Sequence, residues 1–147
     1  MLMKENIILS LMVKDHCKIE KLLDKLAEDI DKDFEILEKS FYKYEWELEK
    51  HIFVEEKAIF TSYNPKDVSE GYKMLPELKI QHNFILNKLY NWRNDVKNKK
   101  MINGFYDFKK FIISHRKYEE NKVYPKLDEE LNDDQKKQII NRINEIA

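Results

Sequence analysis

The sequence predicts an all-α fold, an up-down-up-down antiparallel four-helix bundle with a short extra C-terminal helix. The chain of 147 residues contains only two glycines and three prolines, too few for a fold rich in tight β-turns. Long stretches place apolar residues at helical spacing with charged residues between them, as amphipathic helices do. Short or moderate loops join these stretches, which favours antiparallel neighbours in a bundle. We expect residues 1–147 to form a single domain.

Local signals mark the ends of the predicted helices. Four long stretches and one short one cover about residues 5–28, 34–60, 76–96, 105–123 and 133–146. Asp31 or Asp33 provides an N-cap for the second helix. Pro76 suits the first turn of the third helix, and Gly104 ends the turn before the fourth. Pro125 interrupts the fourth helix, because a proline lacks the backbone N–H that a helix interior requires.

The connection between the second and third helices and the start of the last helix have their own signatures. Residues 61–69, which include Pro65, have a composition typical of a loop. Asp133 and Asp134 offer the last helix an N-cap and a negative charge at the positive end of its dipole. Because this helix is short, we expect it to pack on the outside of the bundle.

Charge and cysteine content narrow the function classes. With 27 basic and 28 acidic residues the net charge is −1, so we expect neither a nucleic-acid partner nor an acidic membrane surface. Cys17 is the only cysteine, which excludes an intrachain disulfide and suits a reducing compartment. We expect neither a signal peptide nor a membrane-spanning segment, and we expect the protein to be cytoplasmic.

The four histidines occur one per long helix, each on the apolar stripe. They are His16, His51, His82 and His115. In an antiparallel hairpin, two residues are level when they are equally far from the connecting turn. The midpoint of each consecutive pair falls in or beside a predicted turn, so all four rings are expected at one level of the bundle.

Two of these histidines have a glutamate four residues later. His51 precedes Glu55 and His115 precedes Glu119, and residues four apart share one helix face. A carboxylate facing an apolar core costs several kcal/mol unless it is paired or bound to a metal. The six side chains therefore predict a metal site, and a metal-free buried network of His–Glu pairs is the alternative.

The ligand types restrict the metal. Imidazole nitrogen and carboxylate oxygen without thiolate suit iron, manganese or zinc. Six ligands are too many for one tetrahedral zinc, whereas two histidines per metal with two shared carboxylates suit a di-iron pair.

These residues resemble a known family. The order His16, His51-xxx-Glu55-Glu56, His82, His115-xxx-Glu119-Glu120 and Tyr124-Pro125 is similar to that of the hemerythrin-like HHE cation-binding domain. The resemblance covers nearly the whole chain, from the first helix to Pro125. It implies two iron ions joined by an oxo or hydroxo group. It also implies a ligand assignment: His16 and His51 on one iron, His82 and His115 on the other, and Glu55 and Glu119 bridging them.

The neighbouring side chains receive simpler interpretations. Glu56 and Glu120 are turned about 100° further round the helix and are expected to be mostly solvated. Tyr44, Tyr118 and Tyr124 are interpreted as aromatic packing residues.

The sequence departs from the respiratory hemerythrins, which place a second histidine on the third helix where this chain has Leu78 and Leu86. The resemblance therefore implies a second iron with one nitrogen ligand fewer, which favours sensing or peroxide chemistry over simple oxygen carriage. Together with Ile52 and Ile112, these leucines are expected to keep the ligand pocket apolar.

The main functional hypothesis is a non-haem di-iron protein that binds O2 or a related small ligand as a carrier or sensor. The alternatives are a di-iron enzyme that turns over peroxide or nitric oxide, and an iron-sensing or iron-storage protein. These classes share their ligands, and the sequence identifies no protein partner.

Overall fold

The computed structural model describes residues 6–60 and 70–146, with the side chains of residues 70–73 excepted. The predicted loop at 61–69, with Pro65, lies outside the described residues. All regular structure in the described part of the chain is helical. The helices are α1 (Ile7–Asp29), α2 (Phe34–Val54), α3 (Glu70–Lys97), α4 (Phe105–Tyr118), α5 (Tyr124–Glu130) and α6 (Asp133–Ile146). None of these helices combines the length and the apolarity that crossing a lipid bilayer requires.

The turns between the long helices form where polar residues and glycine occur. Asp33 caps α2, because its carboxylate accepts a hydrogen bond from the backbone N–H of Ile36 at 3.2 Å. Gly104 precedes α4 with φ of +76°, a left-handed conformation that glycine adopts without strain. A Cβ atom at this position would lie 3.1 Å from Nζ of Lys88. Both turn predictions agree with the structure.

Two predicted boundaries and one predicted N-cap are wrong. Helix α3 begins at Glu70, so Pro76 lies inside it; this proline removes one backbone hydrogen bond without ending the helix. The helical path likewise continues through Pro125, the second residue of α5. Asn132 rather than Asp133 or Asp134 caps α6. Its Oδ1 accepts from the backbone N–H of Gln135, and Oε1 of Gln135 accepts from the backbone N–H of Asn132, both at 2.9 Å.

Two long helices end in π-helical segments that the sequence did not predict. Helix α2 continues without interruption into Glu55–Ile59, and α4 into Glu119–Val123. The backbone N–H of Phe60 bonds the carbonyl of Glu55, and that of Tyr124 bonds the carbonyl of Glu119, a spacing of five residues. Such segments are rare and occur often at functional sites. Each begins at the glutamate of a His-xxx-Glu pair.

Two clusters of buried side chains form the core. The first core cluster is centred on Phe41, Trp92 and Phe108, and the second on Ile59, Tyr124 and Leu127. Along each long helix, the histidine lies where residues of one cluster give way to residues of the other. A polar layer therefore separates two apolar layers.

Helix α6 packs against the π-helical segment Glu55–Ile59. Its Ile139 is fully buried in the second core cluster, and Ile143 and Ile146 pack against that cluster from its edge. Helix α6 therefore covers the bundle beside the π-helical segment that begins at Glu55.

Candidate metal centre

The polar layer contains the four histidines, all of them buried. Nε2 of His16 lies 3.1 Å from Nε2 of His51, and the rings of His82 and His115 have centroids 5.2 Å apart. Helices α1, α2, α3 and α4 each contribute one ring. The structure brings together the histidines that the sequence placed at one level.

The carboxylates of Glu55 and Glu119 lie among these rings, and both residues are 0% exposed. Oε1 of Glu55 is 2.6 Å from Nε2 of His51, and Oε1 of Glu119 is 3.1 Å from Nε2 of His115. Each glutamate also approaches a histidine of another helix. Nε2 of His16 lies 3.3 Å from Oε1 of Glu119, and Nε2 of His82 lies 3.8 Å from Oε1 of Glu55.

These six side chains form two overlapping sets of possible ligand atoms. One set consists of His16, His51, Glu55 and Glu119, and the other of Glu55, His82, His115 and Glu119. Within each set the ligand atoms lie within 4.8 Å of one another. Both sets include the two carboxylates, so the same two glutamates can serve two neighbouring cations.

The outer nitrogen of every imidazole is also engaged, because each Nδ1 lies at hydrogen-bonding distance from a side-chain oxygen. The contacts are His16 with Glu120 at 2.8 Å, His51 with Asp15 at 2.5 Å, His82 with Glu56 at 3.0 Å and His115 with Gln81 at 2.6 Å. A hydrogen bond at Nδ1 fixes the ring orientation and leaves Nε2 with a lone pair directed inward. The Nε2 atoms that face the carboxylates are thereby prepared as metal ligands.

The expectation that Glu56 and Glu120 are mostly solvated is wrong. Glu56 is 17% exposed and reaches His82 on α3, and Glu120 is 24% exposed and reaches His16 on α1. The prediction followed the direction of each side chain on its own helix and left out the neighbouring helix. Asp15 and Gln81 were not singled out by the sequence at all, because nothing distinguishes them from other polar residues beside a histidine.

Tyr124 also belongs to the site, although the sequence interpretation assigned it to packing. Its hydroxyl group donates a hydrogen bond to Oε2 of Glu119 at 3.0 Å, and its ring lies 5.9 Å from that of His16. Tyr44 lies in the first core cluster, and Tyr118 packs against the second, in agreement with the interpretation.

Burial and mutual charge shift the pKa values of these groups in opposite directions. Burial raises the pKa of Glu55, and the charge of Glu119 raises it further. Burial alone would raise the pKa of Glu119 as well, but close polar contacts with Glu55, His115 and His16 hold it well below its usual range. Burial alone would lower the pKa of His115, but Glu119 raises it. The site therefore concentrates negative charge against imidazole nitrogens, the environment that a cation requires.

Contacts among the described residues do not satisfy the polar atoms that face the middle of the cluster. Both carboxylate oxygens of Glu55, Oε1 of Glu119 and Nε2 of His82 lie near other polar atoms, but none of these contacts has the geometry of a hydrogen bond. Buried polar atoms are rarely left unpaired, since each costs about 1–3 kcal/mol. The same atoms belong to the two sets of possible ligands, and their donor chemistry fits a bound cation better than a metal-free His–Glu network.

An apolar pocket leads to the cluster from between α1, α2 and α4. Its cavity volume is about 40 Å³, and its lining includes Ile19, Leu48, Ile52 and Ile112 beside His16, His51, His115 and Glu119. A volume of this size is sufficient for a molecule of a few atoms. Ile52 and Ile112 line the pocket as predicted, whereas Leu78 and Leu86 pack in or against the core clusters.

Comparison with known families gives one match. The family model of the hemerythrin HHE cation-binding domain matches residues 7–127, which include the six clustered side chains and run from α1 into α5. No curated protein and no solved structure matches the chain.

Proposed function

Because this chain belongs to the hemerythrin HHE cation-binding domain family, we propose that it is a non-haem di-iron protein. We propose further that it binds O2 or a related small ligand, as a carrier or a sensor. The cation-binding property follows from the family, and the His/Glu cluster fits it. What we propose beyond this is that the cation is iron, that two iron ions bind together, and that their ligand is O2 or a related small molecule.

The single observation that carries the proposal is the sharing of two buried carboxylates between two sets of ligand atoms. Two carboxylates between two pairs of imidazoles suit a pair of ions a few ångströms apart, as in other two-metal sites. In the proposed assignment, His16 and His51 would hold one ion, His82 and His115 would hold the other, and Glu55 and Glu119 would be shared by both. Imidazole and carboxylate together, with no thiolate among them, are ligands that iron accepts.

When bound, the iron pair would supply a redox-active centre with an open coordination position for a small ligand. The protein supplies the surroundings. The apolar lining of the pocket disfavours water, the hydrogen bonds at Nδ1 orient the imidazoles, and the hydroxyl of Tyr124 fixes one oxygen of Glu119. We also propose that the whole chain forms a single domain, in which the long helices run antiparallel in an up-down-up-down bundle. We propose a cytoplasmic location for it.

Metal analysis of the purified chain tests the proposal. Protein from an iron-rich culture should contain about two irons per chain, as two-metal sites do. The reduced protein should change its visible spectrum when exposed to air, and a carrier or sensor should regain the first spectrum when O2 is removed. Protein that retains no iron after iron loading would contradict the assignment of iron, and an absence of any spectral response to O2 would contradict the ligand.

Turnover of peroxide or nitric oxide is a second candidate for the same centre. It is favoured by Leu78 and Leu86, which are leucines where respiratory hemerythrins place a further histidine, and which leave one iron with fewer nitrogen ligands. Steady consumption of hydrogen peroxide or nitric oxide by the iron-loaded protein, beyond one equivalent, would favour this enzyme over a carrier or sensor.

A further inference from the structure

The four imidazoles of the proposed centre differ in the group that accepts the hydrogen bond from Nδ1. Three of the oxygens that face Nδ1 belong to carboxylates, on Asp15, Glu56 and Glu120. The fourth, facing His115, belongs to the neutral amide of Gln81 at 2.6 Å. The pair His16 and His51 is therefore supported by two carboxylates, and the pair His82 and His115 by one carboxylate and one amide.

The orientation of the Gln81 amide is determined by a second contact. Its Nε2 donates a hydrogen bond to Oε1 of Glu77 at 3.2 Å, one turn earlier on α3. The amide oxygen must then face His115 and accept the hydrogen from its Nδ1. Glu77, Gln81 and His115 therefore form a chain of hydrogen bonds in that order. The carboxylate of Glu77 influences the imidazole of His115 only through the neutral amide of Gln81.

A carboxylate behind an imidazole makes the ring a stronger donor to a metal than an amide does, because the negative charge stabilises positive charge that develops on the ring. Removing or neutralising such outer partners changes metal affinity by about 10- to 100-fold. The three carboxylates and the single amide thus give the two halves of the centre unequal donor strength.

The distances between the inner imidazole nitrogens and the carboxylate oxygens also favour the half that contains His16 and His51. In the first half, Nε2 of His51 is 2.6 Å from Oε1 of Glu55, and Nε2 of His16 is 3.3 Å from Oε1 of Glu119. In the second half, the matching distances are longer: Nε2 of His115 is 3.1 Å from Oε1 of Glu119, and Nε2 of His82 is 3.8 Å from Oε1 of Glu55. The ligand atoms of the first half are therefore closer together before any ion binds, which lowers the cost of organising them.

We propose that the two cation positions are unequal and that Gln81 sets the difference. This inference rests on the dinuclear centre proposed above. The position formed by His16 and His51 fills first and releases its ion last. The position formed by His82 and His115 binds more weakly, so the second ion is the one that leaves and returns as cation supply changes. Gln81 is a positioning residue, since it acts through His115 without touching the ion.

A swap of neighbouring side chains provides the test. The double variant Gln81→Glu with Glu77→Gln exchanges the amide and the carboxylate, retains the net charge and allows both hydrogen bonds to re-form. The metal-free chain is titrated with Co²⁺ alone, without oxygen, in competition with a chelating dye that reports two stepwise dissociation constants. The unchanged chain should show two constants further apart than the statistical ratio of two identical sites. The swap should lower the second constant about tenfold or more and leave the first unchanged.

Two further variants separate electronic support from structural damage. Glu77→Gln alone keeps an amide behind His115 and should change the second constant far less than the swap does. Asp15→Asn places an amide behind His51 and should raise the first constant by a factor of about ten or more. Thermal unfolding of each metal-free variant shows whether the fold itself has changed, and the swap should unfold at the temperature of the unchanged chain.

Equal constants in the unchanged chain would overturn the inference while leaving the dinuclear centre in place. A swap variant that folds normally but retains the original second constant would remove the role of Gln81. Uptake of no Co²⁺ or of a single ion by every folded variant is a distinct result, because it would contradict the dinuclear centre and this inference with it.

Discussion

The carboxylate of Asp128 accepts a hydrogen bond from the backbone N–H of Ile8 at 3.0 Å, joining residues 120 positions apart in the chain. Its second oxygen accepts from the backbone N–H of Leu9, also at 3.0 Å. Asn6, the N-cap residue of α1, makes no side-chain capping bond, so a side chain from α5 caps this helix instead. Nζ of Lys136 on α6 lies 3.6 Å from the same carboxylate, which therefore connects three helices.

Replacing this carboxylate should destabilise the whole bundle. Asp128→Ala removes the acceptors for one buried and one partly buried backbone N–H group, and we expect a loss of about 2 kcal/mol in the free energy of unfolding. Urea denaturation followed by circular dichroism measures it. Asp134→Ala, at an exposed position in the first turn of α6, should cost far less. Equal losses in the two variants would mean that Asp128 acts only through its charge.

The bridging role of the buried glutamates makes a prediction about metal content. Glu55→Gln and Glu119→Gln preserve side-chain volume but remove the charge that both cation positions share. We expect each variant to retain less than about two irons per chain after iron loading. Elemental analysis of the folded variants measures the count, with the exposed substitution Glu38→Gln on α2 as the matched control. Full iron retention by both variants would exclude the bridging assignment.

The apolar pocket makes a prediction about ligand access. Ile112→Trp fills part of a cavity of about 40 Å³ beside the cluster without changing any proposed ligand. The iron-loaded variant should keep its metal content but respond to O2 about tenfold or more slowly, because its path to the centre is narrowed. Stopped-flow absorbance measures the rate. Ile80→Trp, at a position that is 63% exposed, is the control and should react at the original rate. A normal rate in Ile112→Trp would show that ligands reach the centre by another path.

His51 makes the metal-free chain sensitive to pH. Burial alone would lower the pKa of His51, but the charge of Glu55 and the hydrogen bond to Asp15 raise it well above 6.5. Because the folded-state pKa is raised, protonation of His51 stabilises the metal-free fold fully below the pKa of the unfolded residue. This stabilisation is lost as pH rises through the raised value. The melting temperature of metal-stripped protein should therefore fall as the pH rises above 6.5, the ordinary pKa of histidine.

Metal loading provides the control for this dependence. A bound cation replaces the proton on the imidazole, so the loaded protein should not show the same loss at higher pH. Metal-free His51→Gln should also have a flatter profile than the unchanged chain. A metal-free chain that becomes more stable over the same pH range would contradict the predicted direction.

Helix periodicity predicted most of the architecture, because the burial of an apolar stripe depends on residue spacing that can be counted in the chain. Helix α1, helix α2 together with its π-helical continuation Glu55–Ile59, and the short α6 follow the predicted boundaries closely. Prolines were the main source of error. Pro76 and Pro125 were taken to begin or end helices, but the backbone remains helical on both sides of each. A proline removes one hydrogen bond, and packing of the flanking turns against the core offsets that cost.

The sequence by itself determined which six side chains gather at one depth, because helical spacing fixes the face of each residue and the turn positions fix its height. Only the tertiary structure decided what lies behind each imidazole. Glu56, Glu120, Asp15 and Gln81 each reach a histidine on a different helix, and Tyr124 reaches Glu119 across a π-helical segment. Such contacts depend on how neighbouring helices are rotated and spaced, which the periodicity of a single helix does not contain.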